Sequence, residues 1–444
     1  MALAQLGRTP EAIECYRRVL ALNPHAVATH DALILLLDVQ PSTTFKQAQA
    51  ERRLWWRRHG AAIYARRQPH PNDRDPDRPI RVGYVSGDFR AHSVALAIHR
   101  LILRHSEAIV PFYYSSVPSH LHDLVTKDYA SHPGWRDVAR LSDAALADLI
   151  RRDRIDILVD LSGYTPWNRL LTFCRAPAPI QITAFGYATG VGWPAMQYLL
   201  ADPVVIPSAV RPQYVETVID LPSLLWYDGM DESPPANRLP CLTRPQTFGV
   251  FQRSAKLHEP FLQLLAALLR RLPESRLIFK DSTYNASVRA WIRRVMGDTA
   301  QQLVFRGASP HVDHLAAYHE IDLTLDTYPQ TGGVTSCETL WQGVPPMTLI
   351  GERMIQRTTA SLLTTLGLTD FIAMTPEQYI NRAVEWVTTR RLELSWIREH
   401  LRPTMAASPI CAGYGAAVET IYRDIWRLSC HTDRNLSVQT VSAT

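Results

Sequence analysis

Two successive stretches of this chain alternate short β-branched runs with helical segments, and no other feature restricts its fold as much. The first begins at 80–86 (IRVGYVS) and continues through a helix at 93–106, a strand at 109–114, a helix at 143–153 and a buried strand at 155–161 (IDILVDL). Further short strands follow at 180–183, 198–200 and 218–221. The second stretch repeats the grammar at 247–251 (TFGVF), 276–280 (RLIFK), 303–305 (LVF), 323–326 (LTLD) and 346–349 (PMTL), with helices between. Such alternation predicts parallel sheets covered by helices. Two sheets in tandem imply a cleft, and open parallel sheets bind ligands outside the carboxyl ends of their strands.

The rest of the chain is punctuated differently. A polar stretch at 68–79 (QPHPNDRDPDRP) carries four prolines and reads as an extended linker, and a second polar stretch at 228–245 separates the two sheets. Past about residue 377 the pattern is helical again, and 431–444 (HTDRNLSVQTVSAT) reads as a frayed tail. The first forty residues are also helical. A turn at Gly7, a helix bearing Ala12, Ile13, Tyr16 and Leu20, then Asn23-Pro24 and a fresh helix have the layout of one tetratricopeptide half-repeat and the start of the next. Such units bury their apolar faces by stacking, so the expectation is a longer array cut off or degenerate at Met1, against an unrelated helical hairpin.

Composition removes several classes of function. Across 444 residues, 46% are hydrophobic and 20% charged, which is ordinary globular usage and not that of a disordered or collagen-like chain. The longest apolar run, near 32–39, is interrupted by Asp38, so no membrane span is expected, and the N-terminus lacks the layout of a signal peptide. The expected setting is the cytoplasm. Six scattered cysteines form no CxxC or CxxH pair, which argues against structural zinc and a disulfide framework. The net charge of +5 rests on 43 arginines and only four lysines, a skew that does not imply nucleic-acid binding. One dense basic stretch (Arg52, Arg53, Arg57, Arg58, Arg66, Arg67) reads as a solvated helix face or as an anion-binding patch.

The segment LDTYPQTGGVTSCETLWQGVPPMTL carries the most chemistry. A strand ends at Asp326, Gly332 and Gly333 follow, Thr335 or Ser336 is a natural N-cap, and a helix is expected to begin near Glu338. Backbone N–H groups there, approached closely past the glycines, suit a diphosphate, and Glu338 suits a sugar hydroxyl. An ordinary capped strand-to-helix turn reads the same way. Neither GxxxxGK nor GxGxxG is present. Lys256, in FQRSAK, stands where a strand end meets a helix and there a cation would neutralise a phosphate leaving group, although a lone lysine is usually a solvated one. His314, with His311 and His319 nearby, fits capping or core packing as well as ligation, without metal spacing. His92, in SGDFRAHSVA, holds the matching position after the first strand of the first sheet, where its titration range suits general-base or donor work.

In order, RVGYVSGDFRAH, DILVDLSGYT, CRAPAPIQITAFGYATGVG, FGVFQRSAK and LDTYPQTGGVTSCETLWQGVPPMTL followed by SLLTTLGL resemble the catalytic region of the O-linked N-acetylglucosamine transferases and the related SPINDLY-type proteins. The resemblance covers about residues 80–400. It implies a GT-B type α/β fold, with two Rossmann-like domains facing a cleft, preceded by an α-helical tetratricopeptide-like remnant. The implied boundaries are 1–67 for the remnant, 68–79 for the linker, 80–240 for an N-terminal catalytic lobe, 241–430 for a nucleotide-sugar-binding lobe with the terminal helices, and 431–444 for the tail.

The same resemblance implies inverting transfer of a sugar, N-acetylglucosamine first, from a UDP-sugar to serine or threonine of acceptor proteins, without a metal or other cofactor. Lys256 matches the lysine at the diphosphate, and Arg253 falls where the family has a glutamine. His314 matches the histidine near the nucleotide, Ser309 and His311 edge the base, and Gly333, Val334 and Thr335 match the tripeptide that wraps the diphosphate. Glu338 stands at the ribose-binding acid, His92 at the base or acceptor-orienting histidine, and Thr165 in the loop opposite it. Ser93 replaces the usual proline, and the tripeptide lacks its first two polar side chains. These departures keep two alternatives open: a GDP-fucose-dependent O-fucosyltransferase, and a catalytically weak scaffold that binds nucleotide sugar. The base is open too, between His92 and a phosphate oxygen or water chain.

Overall fold

The computed structural model describes residues 8–187, 189–229 and 233–441, so the turn expected at Gly7 lies outside the described residues. The chain divides into two compact units, one made of residues 19–35, 46–226 and 413–444, the other of 1–18, 36–45 and 227–412.

The first unit is built on a seven-stranded sheet among the described residues. Its strands are β1 (Ile80–Ser86), β2 (Ile109–Ser115), β3 (Trp135–Asp137), β4 (Ile157–Asp160), β5 (Ile180–Thr183), β6 (Tyr198–Ala201) and β7 (Thr217–Asp220), in the order β3-β2-β1-β4-β5-β6-β7. All its pairings are parallel. β4 and β5 are buried along their whole length; β4 accordingly reads as apolar up to Asp160, whereas β5 (IQIT) buries Gln181 and Thr183 on hydrogen-bond partners. The helix Asp143–Arg152 starts where the Ser142 hydroxyl accepts from the Ala145 N–H at 3.2 Å, and it buries Leu146, Ala147 and Ile150, one stripe at helical spacing.

Helices Thr9–Leu22, Val27–Val39 and Phe45–Trp55 supply the helical start that the sequence announces. Ile34 and Trp55 enter the apolar core of the first unit together with Tyr114, Leu158, Phe173 and Trp193. Trp55 is fully buried, lies stacked 5.8 Å from Trp193 and donates its indole N–H to Asp31 at 2.7 Å. Trp55→Ala is therefore expected to cost about 3–5 kcal/mol of unfolding free energy. Urea titration reads this as a lower midpoint at unchanged slope, and a cost under about 1 kcal/mol would show that the indole is not part of this core. Five of the six arginines in the basic stretch are exposed, as a solvated face requires, and Arg52 alone departs from that reading. It is buried, and it donates to the carbonyls of Gly190 at 2.9 Å and Ala48 at 3.1 Å.

The last helix, Tyr414–Val441, corrects two expectations. It continues through most of the segment read as a frayed tail, with 442–444 outside the described residues. It also belongs to the first unit, not to the nucleotide-sugar lobe with which the sequence reading grouped it. Arg423 donates to the carbonyls of Pro76 and Arg78, both at 2.8 Å, and Trp426 donates to that of Asp75 at 3.1 Å. The linker thus has no regular structure of its own but is clasped along the backbone.

The second unit holds a six-stranded parallel sheet among the described residues: β8 (Thr247–Val250), β9 (Arg276–Lys280), β10 (Leu303–Arg306), β11 (Leu323–Leu325), β12 (Pro346–Leu349) and β13 (Ile372–Ala373), in the order β10-β9-β8-β11-β12-β13. The helix Glu259–Arg271 begins with Pro260 in its first turn and buries Phe261, Leu262, Leu265, Leu268 and Leu269. Residues 36–45 are tied to this unit by Arg353, which donates to the carbonyls of Leu37, Asp38 and Gln40 at 3.0, 2.8 and 3.0 Å. The unit begins at Tyr227, earlier than the expected 241, because Tyr227 already pairs its N–H with the Ile410 carbonyl at 3.1 Å.

Candidate active site

In each sheet the strand order reverses once, between β1 and β4 and between β8 and β11. Loops leaving the carboxyl ends of such a strand pair diverge and leave room for a ligand between them. Every residue singled out above as chemically interesting, save those of the basic stretch, lies in or just after one of these loops or in a neighbouring one.

In the second unit, β8 leads into a single tight turn, Ser254–Lys256, and β11 leads through Asp326 to the helix Val334–Trp341. Gln252 joins the two. Its amide nitrogen donates to the Thr335 hydroxyl at 2.9 Å, and its oxygen accepts from the Lys256 ammonium at 2.8 Å. Lys256 also donates to the Thr331 carbonyl at 2.9 Å. Burial lowers its pKa to about 8, with Asp326 opposing that shift and the neighbouring Arg253 adding to it. Arg253 itself is exposed, so the glutamine that reaches the lysine is Gln252, a residue the sequence reading passed over. The signal was only its adjacency to Arg253.

Asp326 forms the floor. It is 2% exposed, accepting from the Gly332 N–H at 2.7 Å and from the Thr348 hydroxyl at 2.8 Å, and burial pushes its pKa up while Thr359 and Lys256 pull against that. Gly332 is required by space, since a Cβ there would lie 2.0 Å from the Ser336 hydroxyl and 2.9 Å from the Gln252 amide nitrogen.

The helix starts four residues earlier than expected, at Val334 with Gly333 as N-cap, and no side chain caps it. The sequence reading looked for a capping hydroxyl, and Thr335 and Ser336 instead lie inside the helix, turned to Gln252 and Thr359. The N–H groups of Val334 and Thr335 have no acceptor among the described residues. Two half-exposed helix-start donors and, through Gln252, one ammonium are therefore held in the same loop cluster, a combination suited to an anion.

Glu338 consequently lies in the second turn, where it is buried. His311 approaches one carboxylate oxygen at 2.8 Å and His314 the other at 3.7 Å. Burial works to raise its pKa, and the two histidines outweigh this and hold it below the usual carboxylate value. The two imidazoles lie parallel with centroids 6.2 Å apart, and Phe251 and Tyr318 each flank His314 at 5.6 Å. Exposed Ser309 accepts from Lys280 at 2.8 Å, another contact the sequence did not signal.

In the first unit, the loop after β1 ends at His92, which is N-cap of the helix Ser93–Leu103. Its Nδ1 lies 3.4 Å from the Val94 nitrogen and 3.6 Å from an Asp88 oxygen. The loop after β4 holds Thr165, whose hydroxyl donates to the Ser162 carbonyl at 2.8 Å. The Gly87 N–H donates to the Ser162 hydroxyl at 3.2 Å and so joins the two loops. Beneath them, fully buried Asp160 accepts from the N–H groups of Ser162 and Gly163 and from the Thr183 hydroxyl. Its pKa is pushed up to about 6 by burial, which those bonds oppose. Among the described residues no group of three or more histidine, cysteine, aspartate or glutamate side chains is placed to hold a metal ion, and none of the six cysteines is in a disulfide.

Comparison with known proteins places this arrangement. The model of glycosyl transferase family 41 matches residues 59–228 and 245–413. The rice (Oryza sativa subsp. japonica) protein described as a probable UDP-N-acetylglucosamine–peptide N-acetylglucosaminyltransferase SPINDLY is 32% identical over 95% of this chain and 47% of its own length. The corresponding Arabidopsis thaliana SEC protein is 26% identical over 79% of this chain and 37% of its own. The chain thus spans about half the length of the curated relatives it matches. A solved lysine-to-methionine mutant of the Thermobaculum terrenum O-GlcNAc transferase superposes with a TM-score of 0.91, at 32% identity, covering 97% of this chain and 83% of that one. The two Rossmann-like sheets are those of the GT-B type, and the chain belongs to glycosyl transferase family 41.

Proposed function

We propose that this chain is an inverting glycosyltransferase that moves N-acetylglucosamine from UDP-N-acetylglucosamine to serine or threonine hydroxyls of proteins, without a metal. The observation that carries the reading is the Lys256–Gln252–Thr335 chain, which fixes a cation beside the open helix start at Val334. The names of the relatives support the donor and acceptor. No helix among the described residues is long and apolar enough to cross a membrane, and six cysteines without a disulfide support a reducing, cytoplasmic setting.

In this reading the acceptor hydroxyl attacks the anomeric carbon, the bond from that carbon to the phosphate oxygen breaks, and the nucleoside diphosphate leaves with the electron pair. Lys256 and the N–H groups of Val334 and Thr335 meet the negative charge as it develops, and being held in place before the reaction they need no reorganisation. His311 and His314, oriented by Glu338, are assigned to the nucleoside. His92 and Thr165 are assigned to the acceptor and sugar, and the acceptor proton goes to His92 or to a phosphate oxygen.

Calorimetric titration with UDP, GDP and their sugar conjugates in the presence of EDTA tests this. Preference for UDP without metal is expected, preference for GDP would move the donor to a fucosyl nucleotide, and absence of binding to both would sink the reading. The pH profile supplies a separate check. The ammonium is the low-pH form of Lys256, so kcat/KM for the donor should fall as pH rises through about 8, where the free site loses that proton. Lys256→Arg, where active, should lose this alkaline limb because a guanidinium stays charged. A wild-type profile flat well past that pH would contradict the role.

A further inference from the structure

The basic stretch noted in the sequence takes no part in the chemistry assigned to the two loop clusters, and one of its members borders a separate cavity. Arg66 lines a cavity of about 330 Å³ in the first unit, together with Gln68, Asp148, Arg151 and Arg175. Ile63 and three alanines, Ala62, Ala144 and Ala147, supply its apolar wall. The polar members come from three places in the chain: the turn after the helix Ala61–Tyr64, the helix Asp143–Arg152, and the residue two past the helix Leu170–Phe173.

The arginines are incompletely satisfied. Arg151 donates one terminal nitrogen to the carbonyls of Arg175 at 2.9 Å and Ala176 at 3.4 Å, and its other terminal nitrogen is 4.0 Å from an Asp148 oxygen. Its Nε is buried with no partner, and so is the Nε of Arg175. The Arg175 guanidinium has no hydrogen-bond or ion-pair partner among the described residues. Burial lowers the Arg151 pKa, Asp148 opposes this and the charge of Arg175 adds to it, so the two guanidinium groups sense each other across the cavity. Arg151 and Arg175 are half-buried and Arg66 is exposed, and a guanidinium that lines a cavity without a protein partner, as Arg175 does, offers terminal N–H donors that an anion in the cavity can accept from. Three guanidinium groups against one carboxylate leave an excess of two positive charges.

We propose that this cavity binds a phosphate monoester dianion, with Arg66, Arg151 and Arg175 on the phosphate oxygens and a small organic body against Ile63 and the alanines. The dianion matches the charge excess, and guanidinium N–H groups pair with phosphate oxygens in charge-assisted hydrogen bonds. The volume admits a phosphate with a small attached body, at the lower end of the range for ligand pockets. The site draws on no residue assigned to sugar transfer.

The test is phenylglyoxal labelling of the full chain, with modification of Arg175 followed by peptide mass spectrometry in the presence of millimolar glycerol 3-phosphate or inorganic phosphate. Glycerol 3-phosphate is expected to slow modification of Arg175, to do so at lower concentration than inorganic phosphate, and to do so equally in Lys256→Met protein, where the transferase site is disabled. Equal protection by the two ligands would overturn the organic-body part and leave free phosphate as the occupant. Protection by neither would overturn the whole. In calorimetry Arg175→Gln should weaken glycerol 3-phosphate binding about tenfold or more, and Asp148→Asn should tighten it. Unchanged affinity in Arg175→Gln would overturn the assignment. The labelling of wild-type protein decides the matter even where a variant folds poorly.

Discussion

Lys256→Met is expected to lower the transfer rate about 100-fold or more at saturating donor while leaving the unfolding temperature close to that of the unsubstituted chain. The two halves of this expectation come from one fact. Lys256 is a cation kept in a place that disfavours cations, its pKa drawn down to about 8 by burial. Its two hydrogen bonds, to Gln252 and Thr331, return part of that cost to the folded state. Exchanging it for an apolar chain of similar length removes the bonds and the desolvation penalty together, and because Lys256 is half-buried water can reach the acceptors it leaves, so the stability change is small. The reacting phosphate has no such compensation, because charge that develops on the leaving oxygen then faces only the helix start. Enzyme assay and thermal unfolding of the same preparation read both. Unaltered turnover would remove Lys256 from the mechanism, and a stability loss above about 2 kcal/mol would make it a structural lysine.

Gly186→Ala should have the second large effect, on the acceptor side. A Cβ at Gly186 would lie 1.6 Å from the Leu161 carbonyl oxygen and 2.3 Å from its carbon. Both are backbone atoms, at the start of the loop that carries Ser162 and Thr165, and a backbone cannot rotate aside as a serine hydroxyl can. The loops after β4 and β5 must therefore separate. About 3 kcal/mol of stability is expected to be lost, and transfer to peptide acceptors should fall while UDP binding, made by the other unit, is kept. Chemical denaturation and UDP calorimetry distinguish these. A variant with near-normal stability and acceptor KM would show that the two loops do not need their close approach.

Most of the sheet architecture was legible because central parallel strands announce themselves. β1, β4, β8 and β12 are mostly apolar and lie between turn signals. β3 and β13 were not legible. At three and two residues they are too short for any periodicity, and they exist because β2 and β12 offer them an edge. At the site, the residues of the open loops could be named from their motifs, whereas their joins could not. Gln252 drew no notice, and its role appears only when β8 and β11 become neighbours. Glu338 was read as a first-turn acid free for a sugar hydroxyl; folding puts it one turn deeper, against two histidines. The placement of the terminal helix was hidden for the same reason. An amphipathic stripe says that a helix will be covered, and Tyr84, Ser106 and the linker carbonyls that cover this one are more than 300 positions away in sequence.

That last placement bears on how the protein is made. The sheet whose strands are synthesised first is completed by a helix that emerges after every strand of the other sheet. The earlier lobe must wait through that interval with the surface around Tyr84 and the linker uncovered, while the later one, whose residues 227–412 emerge as one run, has what it needs to settle first. Order of synthesis and order of completion are thereby inverted in this chain.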